Sequence, residues 1–331
     1  MARPKVFVTR LIPEVGLEML AGVCQADVWQ AELPPEPPVL LERVRGAEGI
    51  LSLLTDKIDA KVMDAAGPEL KVISNCAVGF DNVDIAEATR RRIPVGNTPG
   101  VLTDTTADFA FALLMAAARR VVEGDKFTRV GRWKTWGPRL LLGQDITGAT
   151  LGIIGLGRIG TGMAKRARGF DMRVLYYDPN CSGDAPYPGE VSAKCVDLDT
   201  LYAEADFISV HTPLTEATYH LINAEAFRKM KPTAILINTA RGPVVDPDAL
   251  YYALAHGQIA GAALDVTEPE PISFDSPLLK LETVIIVPHI GSASVATRGK
   301  MATMAAANLI AGIKGERLPH CVNPEVYAVE M

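Results

Sequence analysis

Residues 151 to 160 read Leu-Gly-Ile-Ile-Gly-Leu-Gly-Arg-Ile-Gly, which places Gly155, Gly157 and Gly160 directly after a short apolar run. An apolar-periodic stretch follows, then Arg173-Val-Leu-Tyr-Tyr-Asp178, a second apolar run ending on a carboxylate 18 residues past the last glycine. A bare GxGxxG says little, because glycine-rich turns are common. Strand, glycines, helix and spaced acid together say much more. Gly155 allows a tight turn, Gly157 lets a pyrophosphate approach the backbone, and Gly160 lets the helix pack on the strand. The helix opening at Arg158 and Ile159 then turns free N–H groups and its dipole toward the phosphates. Asp178 is placed to bond ribose hydroxyls. The segment is expected to hold a dinucleotide.

About 150 residues precede this fingerprint, enough for a domain of their own. They alternate apolar runs with helical patterns. Strands are expected at Lys5–Thr9, Gly49–Leu54, Lys71–Ala77 and Pro94–Asn97, and helices around Pro13–Ala21, Pro37–Arg45, Ala60–Ala66 and Ile85–Arg91. Alternation of this kind predicts parallel α/β architecture. The rhythm resumes after the fingerprint, with strands at Phe207–His211, Ala234–Thr239, Gly261–Val266 and Val284–Pro288. Helices are expected at Asn223–Met230 and Asp246–His256, and an alanine-rich helical stretch, Ser294–Lys314, closes the pattern. Pro179–Ala193 reads as an irregular connection. The fold class is α/β, with two doubly wound parallel-sheet lobes and a cleft between them.

Bulk properties exclude several function classes. With 331 residues and 48% hydrophobic content, the chain can bury two ordinary cores. A net charge of −6 offers no basic field for nucleic acid or an anionic membrane. The most apolar run, Phe109–Ala118, is half the length of a membrane span, which needs about 20 residues. No signal peptide is evident at the N-terminus. The five cysteines (Cys24, Cys76, Cys181, Cys195, Cys321) are scattered without a CxxC. That fits a reducing cytosol and argues against metal binding, so the location expected is cytoplasmic and no metal site is expected.

Three groups capable of chemistry sit at successive strand ends in the second half. Asn238-Thr-Ala-Arg241 ends one strand, Asp265-Val-Thr-Glu-Pro-Glu270 the next, and Pro288-His289-Ile-Gly-Ser292 the last. In doubly wound sheets, ligands bind outside the carboxyl ends of the strands, so these groups should face one crevice. Arginine binds a carboxylate with two parallel bonds, histidine moves the proton of an alcohol, and a neighbouring carboxylate fixes the imidazole tautomer. Taken singly, Arg241 reads equally as a surface salt-bridge partner, Glu270 as a solvated acid and His289 as a core histidine. Their joint placement beside a dinucleotide site favours chemistry.

Several longer motifs carry a family resemblance: Ala77-Val-Gly-Phe-Asp-Asn-Val-Asp84, Asn97-Thr-Pro-Gly100, Leu102-Thr-Asp-Thr-Thr-Ala-Asp108, the Gly155 fingerprint, Ala240-Arg-Gly-Pro-Val-Val-Asp246 and Pro288-His-Ile-Gly-Ser292. Over essentially its whole length the chain resembles the D-isomer-specific 2-hydroxyacid dehydrogenases. The resemblance implies a flavodoxin-like substrate lobe from residues 1–100 plus 292–331, and a Rossmann dinucleotide lobe from residues 101–291. It implies a catalytic set of Arg241, Glu270 and His289, and substrate contacts at Leu53, Val78, Gly79, Arg241 and His289. It places His211, Thr212, Pro213, Thr239, Ala240, Asp265, Gly291 and Thr106 on the cofactor, and a two-fold homodimer interface on the apolar segment Asp104–Val122.

Within the family the chain looks most like the glyoxylate/hydroxypyruvate reductases, through Val121-Val-Glu-Gly-Asp-Lys126, Gly131-Arg-Trp133, Leu142-Gly-Gln-Asp-Ile-Thr-Gly148 and Thr218-Tyr-His-Leu-Ile-Asn223. Trp133 and Trp136 either line a pocket or pack in an interface. The expected cofactor is NAD, with NADH favoured over NADPH, because Asp178 repels a 2′-phosphate and Pro179–Ala193 contains no Lys or Arg. The expected substrate is a small monoanionic 2-oxo acid, since neither Asn75–Phe80 nor Ile50–Thr55 carries a cation for a second anionic group. The nearest are Lys57, Lys134 and Arg139. Alternatives on the same fold are a phosphoglycerate, D-lactate or phosphite dehydrogenase, or a non-enzymatic NAD-sensing protein.

Overall fold

A computed structural model describes residues 3–179 and 191–328 and divides the chain into two compact units. The expected irregular connection at 179–193 lies mostly outside the described residues. One unit comprises Met1–Leu102 with Ala293–Met331, and the other Thr103–Ser292.

In the first unit the order is β1 (Lys5–Val8), α1 (Glu14–Val23), β2 (Gln25–Val28), α2 (Pro37–Arg43), β3 (Gly49–Ser52), α3 (Ala60–Ala66), β4 (Val72–Asn75), α4 (Ile85–Arg90) and β5 (Val95–Gly96). All strands are parallel in the order β2-β1-β3-β4-β5, the flavodoxin-like arrangement. Strands β3 and β4 are buried along their whole length, as a sheet covered on both faces requires, and their polar carboxyl ends pair with each other, Ser52 Oγ donating to Asn75 Oδ1 at 3.0 Å. Phe7, Ile50 and Ile73 are fully buried, each worth about 1.5–3 kcal/mol against exposure. Asp59 and Asp84 start α3 and α4 by accepting from backbone N–H groups of the first turn. The helix Val295–Ile313 returns to this unit and packs tightly on β4: a Cβ at Gly312 would sit 2.4 Å from Val72 Cβ. Strand β2, whose residues are only half-buried, was not expected from the sequence.

The second unit runs α5 (Thr103–Ala118), α6 (Val121–Arg129), β6 (Thr150–Ile154), α7 (Arg158–Ala167), β7 (Arg173–Tyr177), β8 (Lys194–Cys195), α8 (Leu198–Glu204), β9 (Phe207–Val210), α9 (Ala224–Lys229), β10 (Ile235–Asn238), α10 (Pro247–Ala255), β11 (Gly261–Leu264) and β12 (Val284–Ile286). Its seven parallel strands take the order β12-β11-β10-β9-β6-β7-β8, the Rossmann arrangement with one added strand. Helix α5 buries Ala107, Ala110, Phe111, Leu114 and Ala118 within this unit, so much of its apolar surface is already covered. Helix α6 buries none of its residues. Among the described residues no helix is long and apolar enough to cross a membrane. Cys24, Cys76 and Cys321 are free thiols, whereas Cys195 is disulfide-bonded, which the scatter of cysteines did not indicate.

Candidate active site

In the second sheet the strand order reverses between β6 and β9, and the loops after these two strands are stitched together. His211 donates its backbone N–H to Ile154 O at 2.8 Å, and Gly155 donates to Tyr177 O at 2.8 Å. The fingerprint glycines are required by space. Gly155 has φ +91°, and a Cβ there would lie 2.9 Å from His211 O. A Cβ at Gly160 would lie 2.2 Å from Gly155 O, whereas one at Gly157 would meet nothing within 4 Å. That open face is where a phosphate needs room to reach the backbone. Gly157 caps α7 without a side chain, leaving the N–H groups of the first turn, Arg158 and Ile159 among them, without helical acceptors. Tyr177 pairs in register with Ile154, which puts Asp178 just past the carboxyl end of the neighbouring strand. The buried Thr239 Oγ1, after β10, has no hydrogen-bond partner among the described residues. A glycine cradle, an open helix N-terminus, an acid one strand away and an orphaned buried hydroxyl all fit a dinucleotide.

His211 begins the loop after β9, followed by Thr212 and Pro213. Its Nε2 lies 2.8 Å from Ser209 Oγ, and burial pushes the imidazole down to about 4, so it is neutral near pH 7. The Pro213 carbonyl accepts from Thr218 Oγ1 at 2.7 Å, which folds this loop back on itself.

Arg241, Glu270 and His289 follow β10, β11 and β12, three neighbouring strands, and lie at the same edge of the sheet. His289 Nδ1 is 2.6 Å from Glu270 Oε1. Fully buried Asn238 holds the turn 239–241 from both sides: its amide donates to Arg241 O at 2.9 Å, and its oxygen accepts from Ala240 N–H at 3.0 Å. Arg241 is half-buried, and its Nη1 donates to Ala240 O. Asp265, expected at the cofactor, is engaged in shaping the histidine turn. Its carboxylate accepts from Ile290 N–H at 2.7 Å and Gly291 N–H at 2.8 Å, while its carbonyl accepts from His289 N–H. Burial raises the Asp265 carboxyl, opposed by those two amide donors. A Cβ at Gly291 would sit 2.8 Å from Asp265 Oδ2 and 3.5 Å from Thr106 Cγ2, so Thr106 of α5 packs against the same turn.

Sequence reading missed a second pair behind the first. His220 Nε2 lies 2.7 Å from Glu268 Oε2, Tyr219 OH donates to Glu268 Oε1, and the Tyr219 and His220 rings stack at 4.0 Å. This ties the loop that carries Glu270 to the segment before α9. No motif spacing signals it, because the partners are 48 residues apart.

In the first unit, Leu53 is half-buried. It donates its N–H to Asp56 Oδ2 at 2.8 Å and accepts from Asn82 Nδ2 at 2.9 Å. Val78 and Gly79 are half-buried in the loop after β4. Lys57 is 83% exposed and faces Asp59 at 3.6 Å. Arg10, not anticipated, is nearly buried and matched by Asp56 at 3.3 Å. In the second unit, Trp133 and Trp136 are 58% and 78% exposed. A cavity of about 510 Å³, lined by Ala117, Val122, Phe127, Ile235 and Val284 among others, lies at the amino-terminal edge of the second sheet. It is at the opposite edge from Arg241 and His289. Among the described residues no cluster of three or more His, Cys, Asp or Glu side chains could hold a metal ion.

The chain is similar to known proteins along nearly its whole length. Residues 111–291 match the family described as D-isomer specific 2-hydroxyacid dehydrogenase, NAD binding domain. The chain is 56% identical over 328 residues to the glyoxylate reductase of Korarchaeum cryptofilum (strain OPF8), covering 99% of this chain and 98% of that one. Its fold is similar to the crystal structure of the TT0316 protein from Thermus thermophilus, with a TM-score of 0.90, 47% identity, and 96% and 99% of the two chains covered. It is also similar to the NADPH-dependent glyoxylate/hydroxypyruvate reductase of Sinorhizobium meliloti, solved with NADP and malonate (TM-score 0.85, 31% identity, 100% of both chains). The chain belongs to the D-isomer specific 2-hydroxyacid dehydrogenase family and is a dehydrogenase that binds a nicotinamide dinucleotide.

Proposed function

We propose that this protein reduces small 2-oxo acids with NADH, first glyoxylate to the achiral glycolate and hydroxypyruvate to its D-2-hydroxy acid. The observation that carries the reading is the 2.6 Å His289–Glu270 pair at the carboxyl edge of the sheet that also bears the dinucleotide cradle. The similar glyoxylate reductases support the choice of substrate.

The reduced nicotinamide, when bound, supplies the hydride that reaches C2 of the substrate. Val78 and Gly79 offer backbone N–H groups to the substrate carboxylate. Arg241 stabilises the negative charge that grows on the keto oxygen. His289, its Nδ1 held by Glu270, presents Nε2 as the proton donor to the forming hydroxyl. Asp178 bonds the adenosine ribose and disfavours a 2′-phosphate, which favours NADH. Leu53 borders the substrate. The first turn of α7 with Gly157 and Gly160 holds the pyrophosphate. His211, Thr212, Pro213, Thr239 and Ala240 line the nicotinamide end, with Thr106, Asp265 and Gly291 supporting it.

The assembly proposed is a homodimer. It rests on the exposed apolar run Val121, Val130, Trp133, Trp136, Leu140 and Leu142, each at least 40% exposed, in one short segment. This favours an interface over a pocket for the two tryptophans. The location proposed is the cytoplasm.

The test is a panel of glyoxylate, hydroxypyruvate, pyruvate, 2-oxoisocaproate, 3-phosphohydroxypyruvate and phosphite, the last assayed in the oxidative direction, with each cofactor form. Glyoxylate or hydroxypyruvate should give the highest kcat/KM, and NADH should exceed NADPH by at least about tenfold, roughly 1.4 kcal/mol. A maximum on phosphohydroxypyruvate or phosphite overturns the substrate reading, and equal rates with both cofactors overturn the reading of Asp178.

A further inference from the structure

Four consecutive carbonyls in the loop after β4 each accept a hydrogen bond from the protein. Ala77 O takes the Thr98 N–H at 2.9 Å, Val78 O takes Asn97 Nδ2 at 2.8 Å, Gly79 O takes Asn75 Nδ2 at 2.9 Å, and Phe80 O takes the Val83 N–H at 3.0 Å. Because a trans peptide is planar, fixing one residue's carbonyl points the next residue's N–H the opposite way. The Ala77 and Val78 carbonyls both face the segment Asn97–Thr98. The N–H groups of Val78 and Gly79 are therefore both turned away from it, to the same side. Neither has a protein acceptor among the described residues. Adjacent amides aimed alike form a concavity that favours an anion.

The two asparagines are themselves locked. Asn75 is fully buried, and its oxygen accepts from Ser52 Oγ at 3.0 Å while its amide also reaches Asn82 Oδ1 at 3.0 Å. The Asn97 carbonyl accepts from Asn308 Nδ2 at 2.9 Å, and the fully buried Asn308 also accepts from His320 N–H at 3.0 Å. Carbonyls left loose could swing into the same concavity and repel a carboxylate. The side chains hold them out of it.

We propose that Asn97 and Asn75 are positioning residues that preset the Val78 and Gly79 N–H groups for the substrate carboxylate. This rests on the assignment of that carboxylate to Val78 and Gly79. Asn97 is the better probe because it is only half-buried. Losing the preset weakens charge-assisted hydrogen bonds and leaves dinucleotide binding and the chemical step alone.

The experiment compares the full-length protein with Asn97→Ala, Asn97→Gln and Gly79→Pro, the last deleting a donor outright. The readouts are the inhibition constant of oxamate, KM and kcat for glyoxylate, and the dissociation constant of NADH. Asn97→Ala should weaken oxamate and raise KM roughly tenfold or more, with kcat within about threefold and NADH binding unchanged. Asn97→Gln, which keeps an amide donor, should recover part of the loss, and Gly79→Pro should lose at least as much as Asn97→Ala. Should Asn97→Ala not fold, Asn97→Ser serves, its hydroxyl being too short to reach Val78 O. Wild-type oxamate affinity in Asn97→Ala beside a loss in Gly79→Pro overturns the positioning role and leaves the carboxylate assignment standing. Wild-type affinity in both overturns the assignment itself. Parallel losses in NADH binding and kcat show a merely structural asparagine and also overturn the proposal.

Discussion

Nδ1 of His289 lies 2.6 Å from Oε1 of Glu270, so one face of the imidazole is committed to a carboxylate and Nε2 is left as the nitrogen that can exchange a proton. The backbone reinforces the arrangement. His289 has φ +52°, in the left-handed region that a non-glycine residue rarely occupies. Asp265 holds it there by accepting from the next two amides. Such local strain, of order 1–3 kcal/mol, persists where surrounding bonds over-determine it, and it clusters at functional sites.

Arg241→Lys should lower kcat/KM for glyoxylate at least about 100-fold, because an ammonium cannot reproduce the planar fork of a guanidinium. The turn that carries residue 241 is fixed by Asn238 through the backbone and should survive the change. Steady-state kinetics beside the thermal midpoint separates the two effects: a large kinetic loss at an unchanged midpoint is expected.

Gly157→Ala and Gly160→Ala should behave differently. The Cβ at 160 would collide with Gly155 O, so that variant should lose several degrees of thermal midpoint or fail to fold. The Cβ at 157 has open space, so that variant should fold normally and bind NADH at least about tenfold more weakly, by filling the phosphate's approach. Calorimetry and NADH titration of the pair check this, and equal effects in both readouts would contradict it.

Much of this was legible in the sequence, and the remainder divides by range. The fingerprint, the apolar parallel strands and the strand-end motifs are local patterns, and the alternation predicted both sheets. Strand β2 was missed because its residues are half-buried at the sheet's edge and carry no continuous apolar run. Helix α8 spans only seven residues and α6 fully buries none of its residues, so neither presents a long apolar stripe. Asn75, Asn82 and Asn97 lay inside or beside the quoted motifs, but their work is pairing across distant loops, which spacing does not encode. The same holds for His220 with Glu268, and for Asp265, whose carboxylate is engaged by the turn 25 residues ahead.

Stability should decline in acid with a component traceable to His211. Its folded value is about 4 against an ordinary 6.5, so the unfolded chain takes up a proton first as pH falls. The stabilisation is fully present above about pH 6.5 and is lost between there and about 4, amounting to roughly 3 kcal/mol. His211→Gln has no such proton to bind, so between pH 7.5 and 4 its unfolding free energy, from urea titration, should fall less than the wild type's by about that amount. Parallel pH curves would contradict the burial account.

Light scattering at micromolar concentration should give twice the 35.5 kDa chain mass. Trp133→Glu with Trp136→Glu should shift it toward the monomer, because two charges would have to enter an apolar interface. A wild-type mass near 35.5 kDa would contradict the dimer.

The most direct test of the central claim is His289→Ala, assayed for glyoxylate reduction with NADH beside a fluorescence titration of NADH binding. The account predicts a loss of turnover of roughly 100-fold or more, the scale of a positioned acid, with the NADH dissociation constant nearly unchanged. Turnover close to wild type, at intact NADH binding, would contradict it.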